Sequence, residues 1–171
     1  MARPTIIRIR PFDKADREWA GRLLAQEWGD ATVVSRGTVH EPTRLPGFVA
    51  EKDGSLVGLA TYHVDGDDCE LVTMNSMAPG IGIGSALLST VKAAAHSAGC
   101  RRLWLITTND NTLALRFYQQ RGLRLAALHK NAVNDSRLLK PQIPLTGLDG
   151  IPIRDELELE FMLPESGNAD N

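Results

Sequence analysis

Cysteine is scarce: Cys69 and Cys100 are the only two in 171 residues, with no C-x-x-C and no His/Cys cluster. That argues against a disulfide framework and against a zinc site. Long apolar runs are missing as well. No stretch approaches the ~18 apolar residues that a membrane-spanning helix needs, so no membrane partner is expected. The opening residues, MARPTIIRIRPFD, hold no apolar core followed by a cleavage site. The chain therefore reads as cytoplasmic. An excess of positive charge is also absent: 19 Lys and Arg stand against 21 Asp and Glu, a net charge of −2. Nucleic-acid binding at large needs a basic face, so nucleic acid is not expected as a partner. No internal repeat and no low-complexity segment interrupts the chain.

What remains is an ordinary globular composition, 43% hydrophobic and 23% charged. The length suits one domain, which would bury roughly 70% of its unfolded surface. We place that domain at residues 1–163 and expect a disordered tail, PESGNADN, from 164 to 171. Thr5 to Arg10 alternates around Ile7 and Ile9 and reads as a strand. Asp13 offers an N-cap for a helix carrying Ala15, Trp19 and Leu23, which Gly29 stops. Asp30 to Pro46 is polar and reads as a loop with a short helix, long enough to be a functional flap. From Phe48 the pattern is a meander, turning at Asp53-Gly54 and Asp65-Gly66. "CELVTMNSM" continues it as a strand. Gly82 to Ala98 reads as a helix with Ile83, Leu87, Val91, Ala94, Ala95 and Ala98 in one stripe. "RRLWLITT" is a buried strand, Asn111 to Arg121 a second helix, "LRLAALH" a strand and Ala132 to Lys140 a short helix. In "IPIRDELELEFML", Leu157, Leu159 and Phe161 alternate with Glu156, Glu158 and Glu160. That pattern reads as a strand with its glutamates on a solvated face, the alternative being that the acidic strand helps attract a cationic amine. The fold class is mixed α/β (α+β), with a sheet part antiparallel and part crossed over.

The most pointed local signal is MAPGIGIGSALL, residues 77–88. Gly80, Gly82 and Gly84 lead straight into a helix. A glycine turn between a strand and a helix N-terminus is an anion site, because orphan N–H groups and the helix dipole both favour negative charge. A P-loop would need a Gly-Lys-Ser/Thr that is not here. A Rossmann fingerprint would need a glycine where Ser85 or Leu87 stands, and an acidic residue where Cys100 or Arg102 stands. Coenzyme A pyrophosphate and a turn without a ligand remain open on this stretch alone.

A second motif follows the next strand. Asn111, Ala114, Phe117, Tyr118 and Gly122 spell N-x-x-A-x-x-F-Y-x-x-x-G. With Gly82-Ile83-Gly84 after a strand, this resembles the GNAT superfamily of acyl-CoA-dependent N-acetyltransferases, most closely over residues 68–125. Pro79 stands where that family's motif has Gln or Arg, and Ile81 replaces an often basic residue. The resemblance implies a centrally splayed sheet flanked by helices. It implies acetyl-CoA as co-substrate, no metal, and an amine acceptor on a small molecule or peptide. Backbone N–H groups of Gly80, Ile81, Gly82, Ile83, Gly84 and Ser85 would bind the pyrophosphate. Met74, Asn75 and Ser76 would pair with the pantetheine arm as an added strand does. Asn111 would bond the cofactor or the chain at the splay, and Tyr118 would sit near the thioester sulfur. Arg116 or Lys92 would supply charge that Pro79 does not. A homodimer paired at a sheet edge is compatible with such a sheet.

Acyl transfer to an amine needs the amine neutral. For a lysine-like amine of pKa about 10.4, holding it neutral at pH 7 costs roughly 4–5 kcal/mol, so a base is useful. Glu70, on the strand before the glycine turn, is the candidate base; alternation puts it on one face with Val72 and Met74. Some relatives in the family, histone acetyltransferases among them, carry a catalytic glutamate in a similar strand. An exposed strand residue is the competing reading of Glu70. Tyr118 is the candidate acid, with a core tyrosine as the alternative. An oxyanion donor is expected from a backbone N–H near Met74 to Ser76. His40, His63, His96 and His129 read as structural or exposed, with Tyr62 and His63 facing the acceptor as the alternative, and Trp28, at a helix end, reads as core before it reads as a substrate platform. Direct attack in a ternary complex is the expected route, and a non-catalytic acyl-CoA-binding regulatory module is the alternative function.

Overall fold

Alternation, helix stops and glycine turns account for most of the elements. The structure, a computed structural model, describes residues 6–165. The expected strand start at Thr5 and the expected tail beyond Glu165 lie outside the described residues. β1 (Ile7–Pro11) sends Ile7 and Ile9 to the main core. Asp13 accepts the Ala15 N–H at 2.7 Å and caps a 3-10 turn, Lys14–Asp16, that runs into α1 (Arg17–Trp28). Gly29 ends α1 in the left-handed region at φ 86°.

The segment Asp30 to Pro46 carries more structure than a loop. β2 (Val33–Ser35) and β3 (Thr38–His40) pair as an antiparallel hairpin, followed by a 3-10 turn at Pro42–Arg44. Strands of three residues are too short to display a period of two. The meander follows as β4 (Gly47–Lys52), β5 (Ser55–Asp65) and β6 (Asp68–Ser76). Then come α2 (Ile83–Ser97), β7 (Arg102–Thr108), α3 (Thr112–Gln119), β8 (Arg124–His129), α4 (Ala132–Leu139) and β9 (Glu156–Met162).

Seven of these strands form one sheet in the order β1-β4-β5-β6-β7-β9-β8. Every neighbouring pair is antiparallel except β6 with β7. Mixed α/β with a splayed sheet is therefore the observed fold. Its two faces carry separate cores, because successive residues of a strand point to opposite sides. Ala50 and Ala60 join the larger core with Leu87 and Val91 of α2. Their neighbours Val49 and Leu59 join a smaller one with Ala20, Leu23 and Leu24 of α1.

The acidic face of β9 is not solvated. β9 lies between β7 and β8, so polar side chains reach its glutamates from both neighbours. Arg102 on β7 donates to Glu160 at 2.6 Å and also to Glu158, while His129 on β8 lies 2.8 Å from Glu158. Glu156 is buried outright, at 3% exposure.

Two predictions follow from this packing. A Cβ on Gly58 would lie 2.6 Å from Ile83 Cγ2 and 3.1 Å from Leu87 Cδ1. Gly58→Val is expected to lower unfolding free energy by roughly 1–3 kcal/mol in urea titrations, and an unchanged midpoint would show that α2 has room to move. Hydrogen bonds also hold three carboxylates below their ordinary range. Arg10 acts on Asp16, Thr32 takes Asp30 to about 2, and His129 with Arg102 outweigh burial at Glu158. A depressed folded-state pKa adds stability above the unfolded value of about 4 that is lost as pH falls through the folded one. The melting temperature should thus hold from neutral pH to about 5 and fall below about 4; Arg102→Ala should lower the neutral plateau and leave less to lose in acid.

Candidate active site

The site begins where β6 and β7 part. Asp68, Cys69 and Glu70 pair with Arg102, Leu103 and Trp104, and the pairing stops there. From Leu71 onward the two parallel strands diverge, leaving the β7-facing edge of β6 open. A bulge sits at the same place. Thr61 is opposite Thr73 and Tyr62 opposite Leu71, so Val72 is an extra residue on β6. The bulge changes the phase of the strand. Glu70 faces the β2–β3 hairpin, whereas Met74 packs on the main core with α2. The expected common face of Glu70, Val72 and Met74 is thereby corrected. Alternation alone could not reveal the slipped residue.

The glycine turn opens α2 as expected. Gly80 and Gly82 sit at φ 84° and 86°, and a Cβ on either would meet nothing within 4 Å. What these two positions require is the left-handed conformation. Gly84 is different: a Cβ there would lie 2.9 Å from Phe117 Cζ, so its bareness lets α3 pack against α2. Gly82 gives the helix no side-chain cap, and the first helical bond runs from Ala86 N–H to Gly82 O at 3.0 Å. The N–H groups of Ile83, Gly84 and Ser85 are left to face outward, the arrangement that binds phosphate. Ile81 is exposed beside them.

The nearby cation differs from the two expected. Lys92 is committed elsewhere, with its Nζ donating to Arg121 O at 3.0 Å and lying 3.7 Å over the Phe161 ring. Burial lowers its pKa. Arg116 is exposed on α3. Arg121 is the guanidinium that reaches the α2 N-terminus. Its Nε donates to Ser85 Oγ at 2.8 Å, and its charge stacks 3.6 Å over Phe117. Sequence reasoning missed Arg121; its place directly before the helix stop Gly122 was the available signal.

The other expected residues fall on both faces of the sheet. Asn111 is the N-cap of α3, its Oδ1 accepting the Ala114 N–H at 3.1 Å, and it also lines a cavity described below. Tyr118 is buried in the α2-side core, edge-on to Phe117 at 5.2 Å, and burial raises its phenol pKa. Glu70 lies on the opposite face in a polar pocket of about 280 Å³ with His40, His63, Ser35 and Arg36. Glu70 is buried, and its Oε2 lies 3.3 Å from His40 Nε2. The His40 and His63 rings are 5.8 Å apart. His40 Nε2, Ser35 Oγ and Asn75 Oδ1 are buried without a hydrogen-bond partner, and the first two border this pocket. His40 is therefore part of the site rather than scaffold.

A second cavity, of about 480 Å³, opens on the same hairpin side at the divergence. Val72 of β6 and Ile106 of β7 form its inner end, and Trp28 lines it while 47% exposed. Trp28 is thus not a core residue. Two segments wall the cavity, residues 27–34 and the stretch after α4. Arg137 fixes the second segment by donating to Pro144 O at 2.6 Å and Ile153 O at 2.8 Å. Gly147 closes against Asp110, where a Cβ would lie 1.9 Å from Asp110 Oδ2. Both cysteines lie deep, Cys69 at 0% and Cys100 at 2% exposure, and burial pushes the Cys69 thiol up to about 12.

Comparison with known proteins places this geometry in a family. The sequence model of the acetyltransferase (GNAT) family matches residues 10–123. The uncharacterized protein YdhI of Bacillus subtilis (strain 168) is 44% identical over 150 residues, covering 87% of this chain and 94% of that protein. Among solved structures, an IAA acetyltransferase from Bacillus cereus ATCC 14579 superposes with a TM-score of 0.71 at 21% identity, covering 92% of this chain and 100% of that one. A GNAT family acetyltransferase from Elizabethkingia anophelis with acetyl-CoA bound gives 0.67 at 20% identity, over 92% and 98%. A splayed sheet, a glycine turn at an uncapped helix end and a match over two thirds of the sequence agree: this chain belongs to the acetyltransferase (GNAT) family.

Proposed function

We propose that the chain transfers an acetyl group from acetyl-CoA to a primary amine by direct attack in a ternary complex. One observation carries the reading. An uncapped helix N-terminus behind two left-handed glycines lies just after the strand edge left open by the divergence. The donor set suits the molecule: outward N–H groups and the Arg121 charge for a pyrophosphate, an unpaired β6 edge for an extended amide chain. The acetyl-CoA bound to the Elizabethkingia anophelis relative supports it.

In this mechanism the N–H groups from Gly80 to Ser85 hold the pyrophosphate. Met74, Asn75 and Ser76 pair with the pantetheine arm, and a backbone N–H among them stabilises the oxyanion. Glu70, beside His40, accepts a proton from the incoming ammonium. The neutral nitrogen then forms the C–N bond as the C–S bond breaks, the sulfur leaves with the electron pair, and the nitrogen gives up its second proton to solvent. Tyr118 donates a hydrogen bond to that sulfur from the opposite face. Burial keeps the phenol protonated, above its ordinary value of about 10, while a thiol has about 8.5. Tyr118 therefore acts by its O–H dipole, with the sulfur drawing its final proton from solvent.

Three variants test these roles. Gly82→Ala puts a Cβ at a left-handed position, a strain of roughly 1–2 kcal/mol, and should weaken acetyl-CoA binding about tenfold by calorimetry. Tyr118→Phe should lower kcat by roughly 10²-fold with little change in the KM for acetyl-CoA; retained turnover would remove its role. Glu70→Gln should lower kcat by roughly 10²-fold at pH 7, with the deficit shrinking at alkaline pH where the amine is already neutral. A pH-independent deficit would deny it the part of base.

A further inference from the structure

Glu156 has no place in that mechanism, yet its surroundings are unusual. It is the first residue of β9 and is 3% exposed, bordering the cavity of about 480 Å³. Its Oε1 accepts the Ser136 hydroxyl at 2.9 Å, and its Oε2 accepts the Arg36 N–H at 3.4 Å. A carboxylate offers about four acceptor sites, so about half are unused. Among the described residues no cationic side chain pairs with it. Its neighbour Glu158 takes both Arg102 and His129, and Glu160 takes Arg102. The one lysine in the cavity wall, Lys140, donates to Thr32 O at 2.6 Å and lies 3.0 Å from Asp30. A buried carboxylate without a counter-charge is costly unless a ligand brings one.

The rest of the wall is mostly apolar. Val33 and Val34 come from the hairpin, Val72 and Ile106 from the diverging strands, and Val133 and Ile153 from either side of the closing segment. Asp110, the other buried carboxylate there, already accepts from Thr108 Oγ1 and from the Leu148 N–H. Asp110 and Glu156 thus both border the apolar chamber without a cation among the described residues, but Gly147 closes against Asp110 and not against Glu156. The chamber's volume lies within the roughly 300–1,000 Å³ typical of small-molecule sites.

We propose that this chamber is the acceptor site, and that Glu156 holds the ammonium of a compact acceptor with one positive charge and an apolar body. The assignment rests on the acetyltransferase reading for what happens next, though not for the binding itself. Arg36 connects the two carboxylates: its N–H touches Glu156, and its residue also borders the pocket of Glu70. Glu156 is a binding residue and Glu70 the base. The one other buried carboxylate of the chamber, Asp110, is closed off by Gly147, which leaves a polyamine no second carboxylate as open as Glu156.

Calorimetry with phenethylamine, 2-phenylethanol and spermidine, each titrated into the protein with and without saturating CoA, tests the assignment. The amine should bind at least ~10-fold more tightly than the alcohol, and spermidine no more tightly than the amine. Glu156→Gln, nearly isosteric, should weaken phenethylamine at least ~10-fold and leave the alcohol unchanged. In steady-state assays it should raise the KM for the amine while kcat holds, the reverse of Glu70→Gln. Val34→Phe, which fills the apolar wall, should abolish amine binding. Acetyl-CoA binding should be unaltered in both variants, reporting an intact fold. Equal affinity of wild type and Glu156→Gln for phenethylamine would overturn the assignment, as would equal affinity for amine and alcohol, or no amine binding at all. Failure of acetyl-CoA to bind the wild type would instead remove the acetyltransferase reading, while the amine–alcohol contrast still decides the chamber.

Discussion

Two parallel strands that share only three paired residues govern the rest of this molecule. Their divergence leaves strand edge unpaired inside a sheet, where unmet backbone groups are costly. Around that gap the chain gathers its special geometry. The Val72 bulge turns β6 at the point of parting. The glycine turn at the end of β6 delivers a helix whose first N–H groups point outward. A hairpin and a closing segment roof the opposite face. The gap thus separates two environments, a tightly packed one with Tyr118 and a partly polar one with Glu70.

Charge is distributed with the same economy. Net charge is small, and many buried or half-buried carboxylates meet a cation or a hydroxyl. Arg102 pairs with Glu158 and Glu160 of β9, His129 bonds Glu158, and Arg10 forks onto Asp16 at 2.7 and 2.8 Å. Against that background, unmatched groups stand out: Glu156 without a cation, His40 and Ser35 with orphan atoms. All of these border the two hairpin-side cavities. Asn75 Oδ1, on the diverging part of β6, is unpartnered as well, and orphan groups at cavities and at an open strand edge are what a surface awaiting a ligand looks like.

Much of this was legible before any coordinates. Strict alternation marked β1 and β9, a helical stripe marked α2, and Gly29 marked the end of α1. The paired motifs around Gly82 and Tyr118 pointed to the family. What escaped was set by distance in sequence. The β2–β3 hairpin is too short to have a period, and it is held by contacts to residues far along the chain, such as the Arg36 bond to Glu156. One inserted residue at Val72 inverts the face of everything after it. Lys92 and Arg121 are distant in sequence from the glycine turn, and only packing on Phe161 and Phe117 shows that the first is engaged elsewhere and the second reaches Ser85. Glu156 looked like its two neighbours because local pattern cannot distinguish a glutamate that meets an arginine from one that faces a cavity.

The depth of the two thiols has a consequence for the chemistry. A protein that handles a thioester is itself open to transthioesterification, in which a thiolate of the chain captures the acyl group. Only the thiolate attacks, and burial pushes Cys69 to about 12 and Cys100 above its ordinary value. Both thiols stay protonated and out of contact with the acyl donor. Neither cysteine is therefore poised to intercept the acetyl group.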